Sequence, residues 1–394
     1  MPPKVIVGTL IINTLLMAIS GITYPVIPLY IVGSGFGVLT AGIVTSIASI
    51  ASFCSQIMWG YVSDRIKRRS RVMLYGSIIM LLFYTAGALL SNNILAIQLS
   101  YIFSTIGSAA VGVASYALVA DVDPHNLNRN MSMYWAGGSL GWATPLLFAG
   151  WLLKTYGIVS IFTVSLLLSV IVLILTVVLM SIDRGIAIVS TKRSVWSLKP
   201  IRRLLRNGVF LILYLSSFMF MVGDVIKNIY VPQYQAYRIG LGESLATSIL
   251  SLASWFEIPA ILLFGYVLYS IGATTVYIVS LISMSLYLYL NSAVGGLTTA
   301  SIVMASYSIV WASYITSISV LVPLSVDEEN RGLALGLVNS NFALANIFSN
   351  IILSYMVAIH GYGQTFIFVA IIMFLLAIAV AITMLYRRSP LRAS

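Results

Sequence analysis

Runs of about 20 apolar residues separated by short polar breaks recur along the whole chain, and they restrict its fold more tightly than any other feature. A helix needs that length to cross the ~30 Å hydrocarbon core of a bilayer. Only helices or closed barrels can cross, because every backbone N–H and C=O must find its partner within the protein. Twelve such runs are predicted, at 5–32, 40–62, 72–90, 95–119, 131–153, 159–180, 208–233, 245–268, 274–291, 297–322, 332–359 and 365–386. The chain is 60% hydrophobic and 8% charged, against about 45–50% and 25% in soluble domains. An all-α, multi-pass membrane protein is therefore expected, embedded in the lipid bilayer. Pro25, Pro28, Pro145, Pro232 and Pro259 fall in or near the runs, where neighbouring helices can re-satisfy the carbonyls they free.

The net charge is +11, yet the basic residues sit in the short breaks, where they read as topology signals and not as a nucleic-acid surface. With the N-terminus inside, Lys4, Arg65, Lys67, Arg68, Arg69, Arg71, Arg129, the cations between Arg184 and Arg206, Arg331, Arg387, Arg388 and Arg392 share one side. The other side keeps Lys154 and Arg238. That asymmetry leads us to expect both termini in the cytoplasm, and the plasma membrane is the expected location. The run after Lys4 is longer than the ~7–15 apolar residues of a cleaved signal and reads as an uncleaved span. Cys54 has no second cysteine to pair with, and His125 and His360 lie far apart, so neither a disulfide nor a metal or other cofactor is expected.

The longest break, 181–207, is basic and divides the chain into halves, 1–180 and 208–394, of six spans each. The halves echo one another. Gly60-Tyr61-Val62 recurs as Gly265-Tyr266-Val267, Pro28-x-Tyr30 as Pro232-x-Tyr234, and Val122-Asp123 with Arg129 as Val326-Asp327 with Arg331, at nearly constant offsets. The expected architecture is twelve transmembrane helices as two pseudo-symmetric six-helix bundles. Such a parallel repeat is one signature of secondary transporters, whose solute sits between the repeats near the midplane.

Between the second and third spans stands Gly60-x-x-x-Asp64-Arg65-x-x-Arg68-Arg69. It resembles the hallmark loop of the major facilitator superfamily, G-x-x-x-D-R-x-G-R-R, with Lys67 where the family usually has glycine. The resemblance implies a latch built from Gly60, Asp64, Arg65 and Arg68. Gly60 would allow close packing, Asp64 would face the start of the eleventh span near Arg331, and Arg68 would pair with Asp121 or Asp123. An anion is stabilised at the positive end of a helix in any case. The second copy keeps Gly265 but has Tyr269 at the aspartate position. Further on, Pro232-x-Tyr234, Gly240-Leu241-Gly242-Glu243-Ser244-Leu245-Ala246, Glu257-Ile258-Pro259 and Gly265-Tyr266 are similar to a series in the sugar efflux transporter branch, with Gln233 in place of leucine. In the fifth span Gly141, Pro145 and Gly150 only loosely match the antiporter glycine-proline motif, and the fourth span lacks the arginine of drug antiporters.

A charge within a span costs about 2.5–3.5 kcal/mol on insertion scales and usually faces a cavity or a partner. Asp224, Lys227 and Glu257 are the charges deep in runs. Asp224 and Lys227 share a helical face, and Asn228 and Tyr234 fall on the same side at 100° per residue. Glu257, near the middle of its run, is the candidate proton carrier. The competing reading is a static Asp224–Lys227 pair with Glu257 hydrogen-bonded between helices. The equivalent first-half positions are Ser20, Thr23 and Ser52. Polar stripes mark further cavity candidates: Asn13, Ser20 and Tyr24 on the first span, Gln98, Tyr101, Thr105 and Tyr116 on the fourth, and Tyr307, Trp311 and Tyr314 on the tenth. Asn339, Asn346 and Asn350 on the eleventh read as contacts between helices.

The expectation is a monomeric transporter exchanging a small polar solute, sugar-like by the resemblance, for protons. The alternatives are efflux of amphipathic drugs or lipids through the same fold and a transport-inactive membrane sensor. No nucleophile–base set points to an enzyme.

Overall fold

A computed structural model describes residues 2–66, 68–123, 126–182, 198–327 and 330–386, and among them finds helix and turn but no strand. The helices are α1 (Pro2–Thr23), α2 (Val26–Ile31), α3 (Gly37–Ile66), α4 (Arg69–Leu89), α5 (Ile94–Val122), α6 (Leu127–Tyr156), α7 (Ile158–Ile182), α8 (Leu198–Arg206), α9 (Gly208–Val225), α10 (Val231–Gln233), α11 (Gly242–Ile271), α12 (Ala273–Ser292), α13 (Leu297–Leu324), α14 (Arg331–His360) and α15 (Tyr362–Tyr386). Each of the twelve predicted runs falls on helix. Among the described residues nine helical stretches are long and apolar enough to cross a membrane, or ten if the two pieces of α11 that meet at Pro259 count as one span. One of the nine, Lys4–Ser63, is 60 residues long, roughly 90 Å of helix at 1.5 Å per residue, and so holds two crossings. Gly35 and Gly37 divide it, with φ of 86° and 81° that a side chain would disfavour.

By contact the chain separates into two compact units. One comprises Met1–Lys192 with Gln235–Trp255, the other Arg193–Tyr234 with Phe256–Ser394. The segment Gln235–Trp255 thus groups with the first unit, although a division at the basic break would place it in the second half.

Within the first unit α1 lies against α6 and α7, α4 against α5 and α7, and α3 against α5. Within the second, α9 lies against α14 and α15, and α12 against α13 and α15. In spans counted from the start of each half, the first meets the fifth and sixth, and the third meets the fourth and sixth, in both units. The internal echo in the sequence therefore corresponds to one packing scheme used twice.

Close approach is achieved with glycine, as membrane helices need when hydrophobicity does not drive their association. A Cβ on Gly107 of α5 would stand 2.5 Å from the Gly76 carbonyl oxygen of α4, and one on Gly21 of α1 would stand 2.5 Å from that of Trp142 on α6. Buried hydroxyls are satisfied locally: Ser77, Ser165, Ser169 and Thr176 each donate to the carbonyl four residues earlier, which lets them sit in apolar surroundings. Large apolar side chains such as Leu82, Leu262, Ile302 and Ile382 are more than half exposed. In water they would be a liability, whereas lipid tails cover them.

Candidate functional site

The second unit concentrates its charge where the seventh span leaves α-helical geometry. Pro232 has no N–H to donate and its ring crowds the preceding turn. The chain responds with π-helical turns on either side, Ile226–Tyr230 and Tyr234–Arg238, a distortion that recurs at functional sites. Asp224 is the penultimate residue of α9, and Lys227 and Asn228 lie in the first wide turn. All three are at least nine-tenths buried.

Asp224 is surrounded by donors. Tyr307 OH on α13 donates to Oδ1 at 2.6 Å, Asn228 Nδ2 donates to Oδ2 at 3.0 Å, and Lys227 Nζ stands 3.7 Å from Oδ1. The same ammonium lies 4.6 Å from the centroid of the Tyr307 ring, a favourable cation–π placement. Tyr287 meets that ring edge-on at 4.9 Å. Charge-assisted hydrogen bonds of this kind are about twice as strong as neutral ones. The pair is a fixed, neutral unit with both carboxylate oxygens engaged.

Glu257 differs. It is only partly buried, makes no ion pair of its own among the described residues, and has Lys227 and Asp224 as its charged neighbours, with the Trp311 indole nearby. Lys227 is paired with Asp224, so Glu257 is the acid of the cluster left without an ion pair among the described residues. A carboxylate so placed can exchange a proton or accept from a solute hydroxyl. Behind Trp311 is an aromatic wall: Phe220 stacks on Tyr314 at 3.8 Å, and Tyr314 OH is paired with Ser217 Oγ at 2.6 Å.

The structure gathers Asp224, Lys227, Asn228, Tyr307, Glu257 and Trp311. Tyr314 backs them as a buried packing residue, but Tyr234 does not join them. Two π turns void the 100° rule over this stretch. Tyr234 instead faces Tyr362 and Phe366, with its hydroxyl 3.4 Å from the Ser292 carbonyl oxygen.

In the first unit the cavity candidates divide. Asn13 is buried, its Nδ2 donating to the Tyr134 carbonyl at 2.7 Å, while its Oδ1 finds no partner. Tyr134 OH is paired with Ser115 Oγ at 2.9 Å and its ring is met edge-on by Tyr116 and Trp135, both exposed. Tyr24 lies beside Trp142. Tyr101 is a core residue, 4% exposed, Gln98 is half-buried, and Thr105 donates to carbonyls of α5 and α3. Tyr134 and Trp135 escaped the sequence reading because they are adjacent and form no stripe. On the eleventh span Asn341 donates to the Tyr214 carbonyl at 2.9 Å, and Asn350 accepts from Tyr230 OH of the seventh span, at 2.8 Å on its carbonyl and 3.5 Å on Oδ1. Asn346 and Asn350 donate to their own helix, and Asn339 is exposed.

The sequence profile of the Major Facilitator Superfamily matches residues 9–253 and 213–394. The chain belongs to the major facilitator superfamily. Solved structures agree on the fold. The nucleoside transporter NupG superposes with a TM-score of 0.78 at 16% identity, covering 96% of this chain and 98% of its own. A POT family transporter in complex with a thioalcohol-conjugated peptide gives 0.79 at 13% identity, covering 96% and 95%. A bacterial homologue of the human lysosomal transporter Spinster, in an inward-facing and unoccupied conformation, gives 0.76 at 13% identity, covering 96% of each chain. No curated protein sequence matches the chain.

The superfamily loop departs from its expected wiring. Asp121 is bound by Arg69, not Arg68, with Nε–Oδ2 at 3.0 Å, and Arg69 Nη1 also donates to Ser63 Oγ at 2.9 Å. Arg68 Nη2 donates to the Met180 carbonyl at 2.5 Å. Arg65 lies over the Tyr61 ring, and Arg331 Nε donates to the Pro323 carbonyl at 3.3 Å. Within the first unit and among the described residues, a Cβ on Gly60 would meet Val113 at an ordinary 3.8 Å. Lys67 and the Asp64 side chain lie outside what is described.

The Gly240–Ala246 stretch acquires a physical role in the first unit. Gly240 and Gly242 take φ of 84° and 76°, which turns Glu243 back toward Tyr237. The Tyr237 hydroxyl stands 2.7 Å from Glu243 Oε1 and 2.8 Å from the Leu29 carbonyl oxygen. Thr247 Oγ1 accepts from the Gly150 N–H at 3.0 Å and Ser248 donates to the Leu147 carbonyl at 2.9 Å. Gly150 is irreplaceable by geometry, since a Cβ would collide with the Glu243 carbonyl and Thr247 Oγ1.

Proposed function

We propose that this major facilitator protein is a secondary active transporter that moves a small polar, sugar-like solute out of the cell against proton entry. It would work by alternating access of two six-helix halves, 1–180 and 208–394, with both termini cytoplasmic in the plasma membrane. The observation that carries the reading is the division of labour in the charged cluster. Asp224 is held by two hydrogen bonds and an ion pair, while Glu257 stands at a partly open position without an ion pair among the described residues. Glu257 is then the proton carrier, and the Asp224–Lys227–Tyr307 unit supplies the fixed field in which it works. A membrane acid without a fixed partner is a functional group by default.

A sugar-like solute is supported by the partly open indole of Trp311 beside acid, amide and phenol groups, since aromatic faces with adjacent polar groups suit a ring with apolar faces and hydroxyl edges. The branch resemblance and the likeness to a nucleoside transporter, whose solute contains a sugar, point the same way. The peptide transporters fit the fold equally well, so the substrate class rests on the site. The test is solute flux in proteoliposomes with and without an imposed pH gradient. Parent protein is expected to respond to the gradient, and Glu257→Gln to bind solute but lose that response. Gradient-independent flux that is equal in both proteins would refute proton coupling.

A further inference from the structure

The short helix α8 takes no part in the proposed transport site. Its nine residues, LKPIRRLLR, hold Lys199, Arg202, Arg203 and Arg206 and no acid. At 100° per residue Arg202, Arg203 and Arg206 fall on one stripe, and Ile201, Leu204 and Leu205 take the opposite arc.

The two faces have different fates. Leu204 is 3% exposed and anchors the helix in the second unit. Arg202, Arg203 and Arg206 are exposed, and so is Leu205 at 40%. Arg203 borders a small hollow shared with Asp327 and Asn330, which leaves Arg202 and Arg206, beside Leu205, as the outward pair.

Chain connectivity places this surface next to a span. One residue, Asn207, separates α8 from the span that begins at Gly208. Asn207 caps that span, its Oδ1 accepting from Val209 N at 3.0 Å and Phe210 N at 3.3 Å, and its Nδ2 donates to the Ser325 carbonyl at 2.8 Å. The junction is therefore pinned, and α8 directly adjoins the start of that span.

We infer that α8 is a docking surface for anionic phospholipid of the surrounding bilayer, with Arg202 and Arg206 taking the headgroup phosphate and Leu205 entering the acyl boundary. Three features favour lipid over a soluble anion: the exposed leucine beside the arginines, the segregation of charge from apolar surface, and the position next to the start of a span. A basic amphipathic helix in that position gains both from apolar insertion and from the negative surface potential. Each basic residue near an anionic surface contributes roughly a five-fold gain in affinity.

The test is lipid titration of the purified full chain in a neutral detergent, with bound lipid counted by native mass spectrometry. Phosphatidylglycerol is compared with phosphatidylcholine for the parent, for Arg202→Gln/Arg206→Gln, and for Lys154→Gln, an exposed cation elsewhere. The parent and Lys154→Gln are expected to prefer phosphatidylglycerol, and the double variant to bind it about 25-fold more weakly. Leu205→Ser, which keeps every charge, is expected to weaken lipid binding without restoring phosphatidylcholine to parity. Equal binding of the two lipids by the parent, an unchanged preference in the double variant, or equally effective displacement by glycerol phosphate would each overturn the inference. It stands apart from the transport reading, since none of these measurements involves flux.

Discussion

Removing one member of the Asp224–Lys227 pair leaves its partner charged in a site where neither is more than 6% exposed. Two unit charges 3.7 Å apart attract by about 4 kcal/mol at an effective dielectric of about 20, set against the cost of taking both out of water. Losing one partner of such a buried pair costs roughly 3–5 kcal/mol, because the survivor keeps its desolvation penalty. Asp224→Asn and Lys227→Met are therefore each expected to lower stability by roughly 3 kcal/mol. The double variant leaves no orphan charge and should lose no more than about the same amount, giving a coupling of roughly 3 kcal/mol. Chemical unfolding in mixed micelles, followed by tryptophan fluorescence, would measure all four corners of the cycle. Single effects that add to within about 0.5 kcal/mol would refute the reasoning: Lys227 would then be solvated by something other than Asp224, and the fixed field assigned to the pair would not exist.

Tyr307→Phe removes the 2.6 Å hydrogen bond to Asp224 but keeps the ring under Lys227, so a loss of about 1.5–3 kcal/mol is expected in the same unfolding assay. At the loop between the second and third spans, Arg69→Gln strips Asp121 and Ser63 of a shared donor. It should reduce the yield of folded, monodisperse protein on gel filtration more than Arg65→Gln, whose side chain is exposed on Tyr61. Gly107→Val forces a Cβ against the Gly76 carbonyl and should cost about 1–3 kcal/mol through overpacking. Gly60→Ala, whose Cβ would make only an ordinary 3.8 Å contact with Val113 within the first unit, should be nearly neutral in the same unfolding assay.

Much of the site was legible before any tertiary information. Charges are costly in an apolar run, so the three that persist, Asp224, Lys227 and Glu257, stood out against their neighbours. Tyr307 and Trp311 followed from helical spacing on the tenth span, which runs without a break through both. The same rule failed for Tyr234 because Pro232 widens the helix on both sides of itself, and a period of 3.6 cannot be carried through turns that do not have it. It also failed for Tyr101: a stripe shows which residues share a face but not whether that face meets a cavity or another helix. At the loop, charge and spacing pointed to Arg68 as a partner for Asp121 or Asp123, and only the tertiary structure showed Arg69 on Asp121.

By itself the sequence determined the number and positions of the apolar runs, the duplication, the superfamily loop and the acids that a membrane would not hold idle. These depend on composition and spacing along one chain, where the cost of burying a charge or leaving a backbone group unpaired is paid residue by residue. The tertiary structure decided which hydroxyl reaches which carboxylate, that Asp224 is ion-paired while Glu257, among the described residues, is not, and that Gln235–Trp255 packs with the first unit. Those outcomes turn on differences of an ångström in how helices approach, set by the glycines at their crossings and by two π turns around one proline.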